Sequence, residues 1–203
     1  MTDELMHPPA FDPADAAAAA ERFAAAAKAD VHYAIVDSPV GELVAASTDR
    51  GLVTLSYGDH EGGVDAVLDR LASRVSPRIL RAPARLDGVR RELDEYFDGR
   101  RREFGVAIDW SLTARFTRRV LQATAEIPFG RVSTYGEVAA EAGNAHASRA
   151  AGRALGANPI PIIVPCHRVI GASGRLTGYT GGIDRKVALL ELEGVVMGEG
   201  ALR

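Results

Sequence analysis

From Val31 onward, short runs of β-branched and apolar residues, VHYAIV, ELVAAS and LVTLSY, are set off by the turn signals Ser38-Pro39-Val40-Gly41 and Asp49-Arg50-Gly51. Runs of this length between turn residues predict strands joined as an antiparallel meander. The period lengthens to that of a helix from Val64 to Arg74 and again from Asp87 to Asp98. In the second of these, Leu93, Tyr96 and Phe97 share a face and Gly99 supplies the stop. Residues 31–109 therefore read as a small α/β domain. Ahead of it, Asp12-Pro13 opens an alanine-rich run to Lys28, which has a helix start but little apolar bulk to dock. Residues 1–30 are expected to be an extension, helical or partly disordered.

After Asp109, Thr113 is a candidate cap for a helix carrying Phe116, Val120, Leu121 and Ala125, ending before Ile127-Pro128-Phe129-Gly130. Thr134-Tyr135-Gly136-Glu137 fits a capping box, Gly143 ends that short helix, and Asn144 is placed to cap the next. The segment His146 to Ala157 is rich in Ala, Ser and Gly, with Arg149 and Arg153 four apart on one face. Two short helices joined by a Gly-Asn turn make a helix-turn-helix candidate. Such a pair more often packs a core. Here the second helix has almost no bulk to fill one, but its backbone can approach a groove closely. Arg149 is its longest group, suited to entering a base stack, and Arg153 suits phosphate or solvent.

Ile160-Pro161-Ile162-Ile163-Val164-Pro165 is apolar with two prolines, so it is expected to be extended, stiff and buried, delivering the chain at Cys166-His167-Arg168-Val169. Burial alone makes a thiol inert. A nucleophile at Cys166 would need a base, and His167 is adjacent, within reach only through a tight turn or a bridging water. Asp184 to Glu193 reads as a helix stopped by Gly194, with Lys186, Leu189, Leu190 and Glu193 on one face. That puts Glu193 on the apolar side at a helix C-terminus, where the macrodipole disfavours an acid by about 0.3–1 kcal/mol. A buried imidazole would hold it there, giving Cys166, His167 and Glu193 the logic of nucleophile, base and orienter; a frayed, solvated Glu193 is the competing reading. Between these elements, residues 171–182 carry five glycines in twelve positions, a loop able to wrap a flat ligand, with Tyr179 as its rigid anchor.

Composition narrows the partners. A single cysteine among 203 residues excludes internal disulfides and multi-cysteine zinc sites. No apolar stretch approaches the length of a membrane span, and a cytoplasmic location is the default expectation. The net charge of −3 hides an asymmetry: residues 1–110 carry 13 Lys and Arg against 20 Asp and Glu, net −7, and residues 111–194 carry 10 against 6, net +4. A basic second half is compatible with a phosphate-facing surface on one side.

Pro165-Cys166-His167-Arg168-Val169, preceded by Asn158-Pro159-Ile160-Pro161 and followed by Gly178-Tyr179-Thr180-Gly181-Gly182, resembles the O6-alkylguanine-DNA alkyltransferase family. The likeness is strong over about 112–194 and looser over 31–109, through VDSPVGEL and DEYFDG. It implies an α/β chain of two small domains: a ribonuclease-H-like one at 31–109 and a mainly helical, winged-helix-like one with a helix-turn-helix at 112–194, followed by a tail at 195–203. It further implies a monomer acting on double-stranded DNA containing O6-alkylguanine, with O4-alkylthymine a second candidate, and no cofactor. Zinc-binding members use N-terminal cysteines that this chain lacks, so no metal is expected.

By the same resemblance Cys166 receives the alkyl group, and His167, polarised by Glu193, draws the thiol proton through water. Tyr135 donates to the guanine ring nitrogen. Arg149 and Ala150, with Tyr135, Asn158 and Arg168, are expected on the DNA side, Arg149 filling the gap of a flipped base. Asn158 is also expected to brace the turn after its helix. Val169, Tyr179, Thr180 and Lys186 are expected at the substrate pocket. Leu121 and Thr180 depart from the family's commoner Trp and Ser or Ala. A lesion-binding protein that only flags damage, and a cysteine hydrolase with multiple turnovers, are the alternatives.

Overall fold

The structure, a computed structural model, describes residues 28–59 and 62–196 together with Ala19 and Arg22. The expected N-terminal extension and most of the tail lie outside the described residues. Strands β1 (Val31–Val36), β2 (Leu43–Thr48) and β3 (Gly51–Tyr57) form the antiparallel meander the turn signals predict. A fourth strand, β4 (Ile79–Arg81), pairs parallel to β1, giving the order β3-β2-β1-β4. At three residues it is too short to show a period of two in the sequence.

Both faces of this sheet are covered, which is why β2 reads as an unbroken apolar run rather than an alternation. Helix α1 (Gly63–Arg74) lays Val67 and Leu71 on the face that carries Val31, Val44, Ala46 and Val53. The opposite face, with Leu43, Ala45, Leu55 and Tyr57, joins helix α2 (Asp87–Phe97) and continues into the second half of the chain as one core that reaches Leu189. The two halves thus share apolar packing. They are also stitched along the sheet edge: the Leu55 amide and the Thr54 hydroxyl both donate to the Pro159 carbonyl, at 2.9 Å each. Covering an edge strand satisfies backbone groups that would otherwise seek another chain.

The second half contains α3 (Arg115–Ala125), α4 (Tyr135–Glu141), α5 (Ser148–Gly156) and α6 (Ile183–Leu192). The capping box of α4 forms as the sequence predicts, with Glu137 N donating to Thr134 Oγ1 and Thr134 N to Glu137 Oε2. Two other expected caps do not form. Thr113 turns its hydroxyl back to the Trp110 carbonyl, 2.6 Å away, and α3 is entered from Ala114 without a side-chain cap. Asn144 accepts from His146 N in the linking turn, and α5 starts from Ala147.

The lead-in to Cys166 is buried as expected but not extended. Residues 160–164 turn, with the Val164 amide bonded to the Ile160 carbonyl at 2.9 Å, and fully buried Ile162 sits at φ 73°. A β-branched residue in the left-handed region is strained by about 1–3 kcal/mol and persists only where its surroundings fix it. One further pairing escaped the sequence: β5 (Ser133–Thr134) and β6 (Val169–Ile170) run parallel, which sets the start of α4 beside the strand that follows Cys166.

Candidate active site

Cys166, His167 and Arg168 form one 3-10 turn, and all three are buried. The turn separates the directions of neighbouring side chains, so that the thiol and the imidazole serve different surroundings. Cys166 reaches a cavity of about 600 Å3, also lined by Tyr135, Arg149, Gly152, Tyr179 and Thr180, within the range of about 300–1,000 Å3 typical of small-molecule sites. The glycine-rich loop supplies one wall. Gly181 belongs there for a steric reason: a Cβ at that position would collide with the rings of Tyr57 and Tyr179.

Behind the turn, His167 Nε2 lies 2.8 Å from Glu193 Oε1. The same oxygen accepts from Tyr96 Oη at 2.7 Å and from Arg168 Nη2 at 2.9 Å, while Arg168 Nε donates to Oε2 at 2.9 Å. Burial alone would push the Glu193 carboxyl up, but donation from His167 and Arg168 outweighs it and brings the pKa down to about 2. Several charge-assisted bonds of about 1.5–3 kcal/mol each readily exceed the unfavourable macrodipole at this helix end. Glu193 is therefore the ordered, clamped carboxylate and not a frayed terminus.

The clamp fixes the chemistry of the imidazole. Burial pushes His167 below its ordinary value, against the pull of Glu193, so the ring is neutral. An ionised carboxylate can only accept, which places the ring proton on Nε2 and leaves Nδ1 as the basic lone pair. Among the described residues Nδ1 is buried with no hydrogen-bond partner, the requirement for a base awaiting a proton.

The thiol is held at rest. Burial pushes Cys166 up to about 11, with an Asn158 hydrogen bond and the Lys186 charge pulling the other way. Asn158 Nδ2 is 3.1 Å from Sγ and 2.8 Å from the Val164 carbonyl. Carboxamidomethylation of the free protein by iodoacetamide should therefore accelerate about tenfold per pH unit from about pH 7 to about pH 10, tracking the thiolate fraction. A plateau near neutrality would mean that a thiolate is already formed in the resting protein.

Tyr135 accepts from Thr177 Oγ1 at 3.1 Å and faces the cavity beneath Gly152 of α5. Helix α5 packs through Ala151, Ala154 and Leu155 and leaves Arg149 and Arg153 exposed, with Arg149 at the cavity mouth and Ala150 half-buried beside it. Both the packing and the surface readings of this thin helix thus apply, on opposite faces.

Four expected positions need correction. Arg168 does not face DNA: its guanidinium is buried against Glu193 and the Ile127 carbonyl. Asn158 braces the turn as expected, but it is buried, so its side chain does not face nucleic acid. Val169 and Lys186 lie one layer behind the cavity and not on its wall. Lys186 Nζ donates to the Val169 carbonyl at 2.6 Å and the Thr177 carbonyl at 3.1 Å, tying the glycine-rich loop to β6, and burial pushes its pKa down to about 8. Two residues of the first half were missed. Tyr96 grips Glu193, and Tyr57 meets Tyr179, Oη to Oη, at 2.8 Å. Their partners lie 97 and 122 positions away, so no local spacing signals them.

Comparison with known proteins agrees with this architecture. Residues 31–110 match the model of the 6-O-methylguanine DNA methyltransferase ribonuclease-like domain, and residues 115–195 match that family's DNA binding domain. A Mycobacterium bovis methylated-DNA–protein-cysteine methyltransferase is 44% identical over 163 residues, covering 80% of this chain and 92% of the relative. A Methanosarcina acetivorans protein of the same name is 40% identical, covering 81% and 99%. The crystal structure of Mycobacterium tuberculosis OGT in complex with DNA superposes with a TM-score of 0.70 at 44% identity, covering 80% of this chain and 93% of that one. With both family domains matched in order over most of its length, the chain belongs to the 6-O-methylguanine DNA methyltransferase family.

Proposed function

We propose that the protein repairs DNA by direct reversal, moving the alkyl group of O6-alkylguanine irreversibly onto Cys166. The observation that carries this reading is the thiol opening on a cavity next to a His167 clamped by Glu193, with Nδ1 left unpartnered among the described residues. The target carbon sits on a base stacked inside the duplex, so the nucleotide must be extruded at a cost of a few kcal/mol. Arg149, long and exposed at the cavity mouth, fills the vacated space, with Ala150 and the α5 backbone against the groove. A relative's structure in complex with DNA supports the same partner.

In the cavity, water passes the thiol proton to His167 Nδ1. The Sγ lone pair then forms a bond to the sp3 carbon as the C–O6 bond breaks, and the electron pair returns to the guanine ring. Tyr135 donates a proton to the ring nitrogen and takes one back from solvent, and the imidazolium afterwards releases its proton to solvent, so the balance is one proton moved from thiol to guanine. Glu193 holds the imidazolium and its orientation throughout. The product is a thioether, which water does not cleave at neutral pH, so each molecule acts once. Among the described residues no helix is long and apolar enough to cross a membrane, and we place the activity in the cytoplasm.

With lesion duplex in excess, repair should stop at one lesion per protein molecule; continued turnover would point to a hydrolase. In the same assay Arg149→Ala should slow transfer from duplex by about tenfold or more, equivalent to about 1.4 kcal/mol, with transfer from free O6-alkylguanine base much less affected. Equal slowing of both would remove its extrusion role.

A further inference from the structure

A second cavity of about 270 Å3 lies between the two halves of the chain, beside the first. The two share Gly156 and Thr180, whose side-chain-to-carbonyl hydrogen bond, Thr180 Oγ1 to the Gly156 carbonyl at 3.0 Å, lies where they meet. Asn158 lines this cleft too while its amide touches Cys166 Sγ, so the reactive sulfur and the cleft lie within reach of one side chain. The other walls include Tyr57 of β3, Pro161, and Arg70 and Arg74 of α1.

The charge of this lining is one-sided. Arg70 and Arg74 are its cations, and among the described residues no Asp or Glu lines it. Arg74 gives one donor to the Leu112 carbonyl at 3.2 Å, which steadies the side chain and leaves other guanidinium donors for a ligand. A cleft of mixed polar and apolar lining that carries two exposed guanidinium groups suits a chain-like group with an anionic terminus.

We propose that this cleft receives the far end of long O6 substituents and favours those ending in a carboxylate, with Arg70 and Arg74 as specificity-determining residues for the alkyl-transfer reaction. The inference rests on the alkyl-transfer reading given above. A methyl group stays within the first cavity and is indifferent to the arginines. A substituent of four or five carbons passes Thr180 and places its terminus in the cleft. The bond changes are the same as for methyl: C–S forms, C–O6 breaks, and the tail remains on Cys166 with its carboxylate unaltered.

The test compares single-turnover rates on three duplexes carrying O6-methylguanine, O6-(4-carboxybutyl)guanine or its neutral isostere O6-(4-carbamoylbutyl)guanine. Solvent-accessible cations support a preference for carboxylate over amide of about fivefold. In the double variant Arg70→Gln/Arg74→Gln that ratio should fall to near unity while the rate on O6-methylguanine stays unchanged. A ratio of one in the wild-type protein, or an equal ratio in both proteins, would overturn the proposal. Absence of transfer from O6-methylguanine itself would overturn the alkyl-transfer reading, which keeps the two failures distinct.

Discussion

Cys166→Ser is expected to reduce alkyl transfer from O6-methylguanine duplex below detection while duplex binding persists. Sulfur is the softer nucleophile and its proton is the easier to remove, even with the thiol pushed up to about 11; a hydroxyl in the same cavity would face a far higher barrier to deprotonation. The replacement removes little volume, and Arg149 and the exposed face of α5 do not pack on the sulfur side of the core. Binding and transfer should therefore separate cleanly in a gel-shift and an alkyl-transfer assay on the same duplex. Retained transfer would mean that the nucleophile lies elsewhere. Binding by the wild-type protein without its own alkylation would favour a protein that flags lesions for other repair machinery.

Glu193→Gln should cost both stability and rate. The carboxylate is shared among His167, Arg168 and Tyr96, and removing its charge leaves the Arg168 guanidinium buried without a counter-ion. Breaking one side of such a pair costs about 3–5 kcal/mol. The amide nitrogen would also present a donor to the Arg168 guanidinium, which can only donate. Transfer slows for a separate reason: an amide that can donate as well as accept no longer enforces the His167 tautomer that keeps Nδ1 basic, and it no longer stabilises the imidazolium by charge. Denaturant melts read the first effect and single-turnover rates, taken where both proteins are folded, read the second.

The pH dependence separates this from generic core damage. The folded pKa of Glu193 is about 2, below its ordinary 4.5, so its stabilisation is fully present above about 4.5 and is lost as pH falls toward 2. The stability difference between wild type and variant should therefore shrink across that window. A constant difference down to about pH 2 would mean that the carboxylate charge contributes nothing.

Sequence reached the local elements well where a single signal sufficed. Thr134 and Glu137 specify the start of α4 through three residues of spacing, and the structure forms that cap. The misplaced look of Glu193, an acid on an apolar face at a helix end, was enough to call for buried partners, and it has them. What the sequence could not supply was the depth of each side chain. Arg168 and Asn158 look polar and flank DNA-facing elements, yet both are buried, because the turn around Ile162 folds the lead-in back instead of extending it. Nor could it supply partners drawn across the chain. Tyr96 was legible as part of the apolar face of α2, and nothing in its neighbourhood indicated that its hydroxyl would reach a carboxylate in α6's terminal turn. The phenol donates there because burial, and then the carboxylate beside it, hold it protonated. The catalytic apparatus is thus assembled on the second half of the chain but tied down partly from the first.

The most direct test is peptide mapping by mass spectrometry after incubation with a duplex containing one O6-methylguanine. The account predicts a single added methyl group on the peptide containing Cys166, in amount equal to the lesions repaired. Repaired DNA alongside an unmodified Cys166 peptide would contradict it.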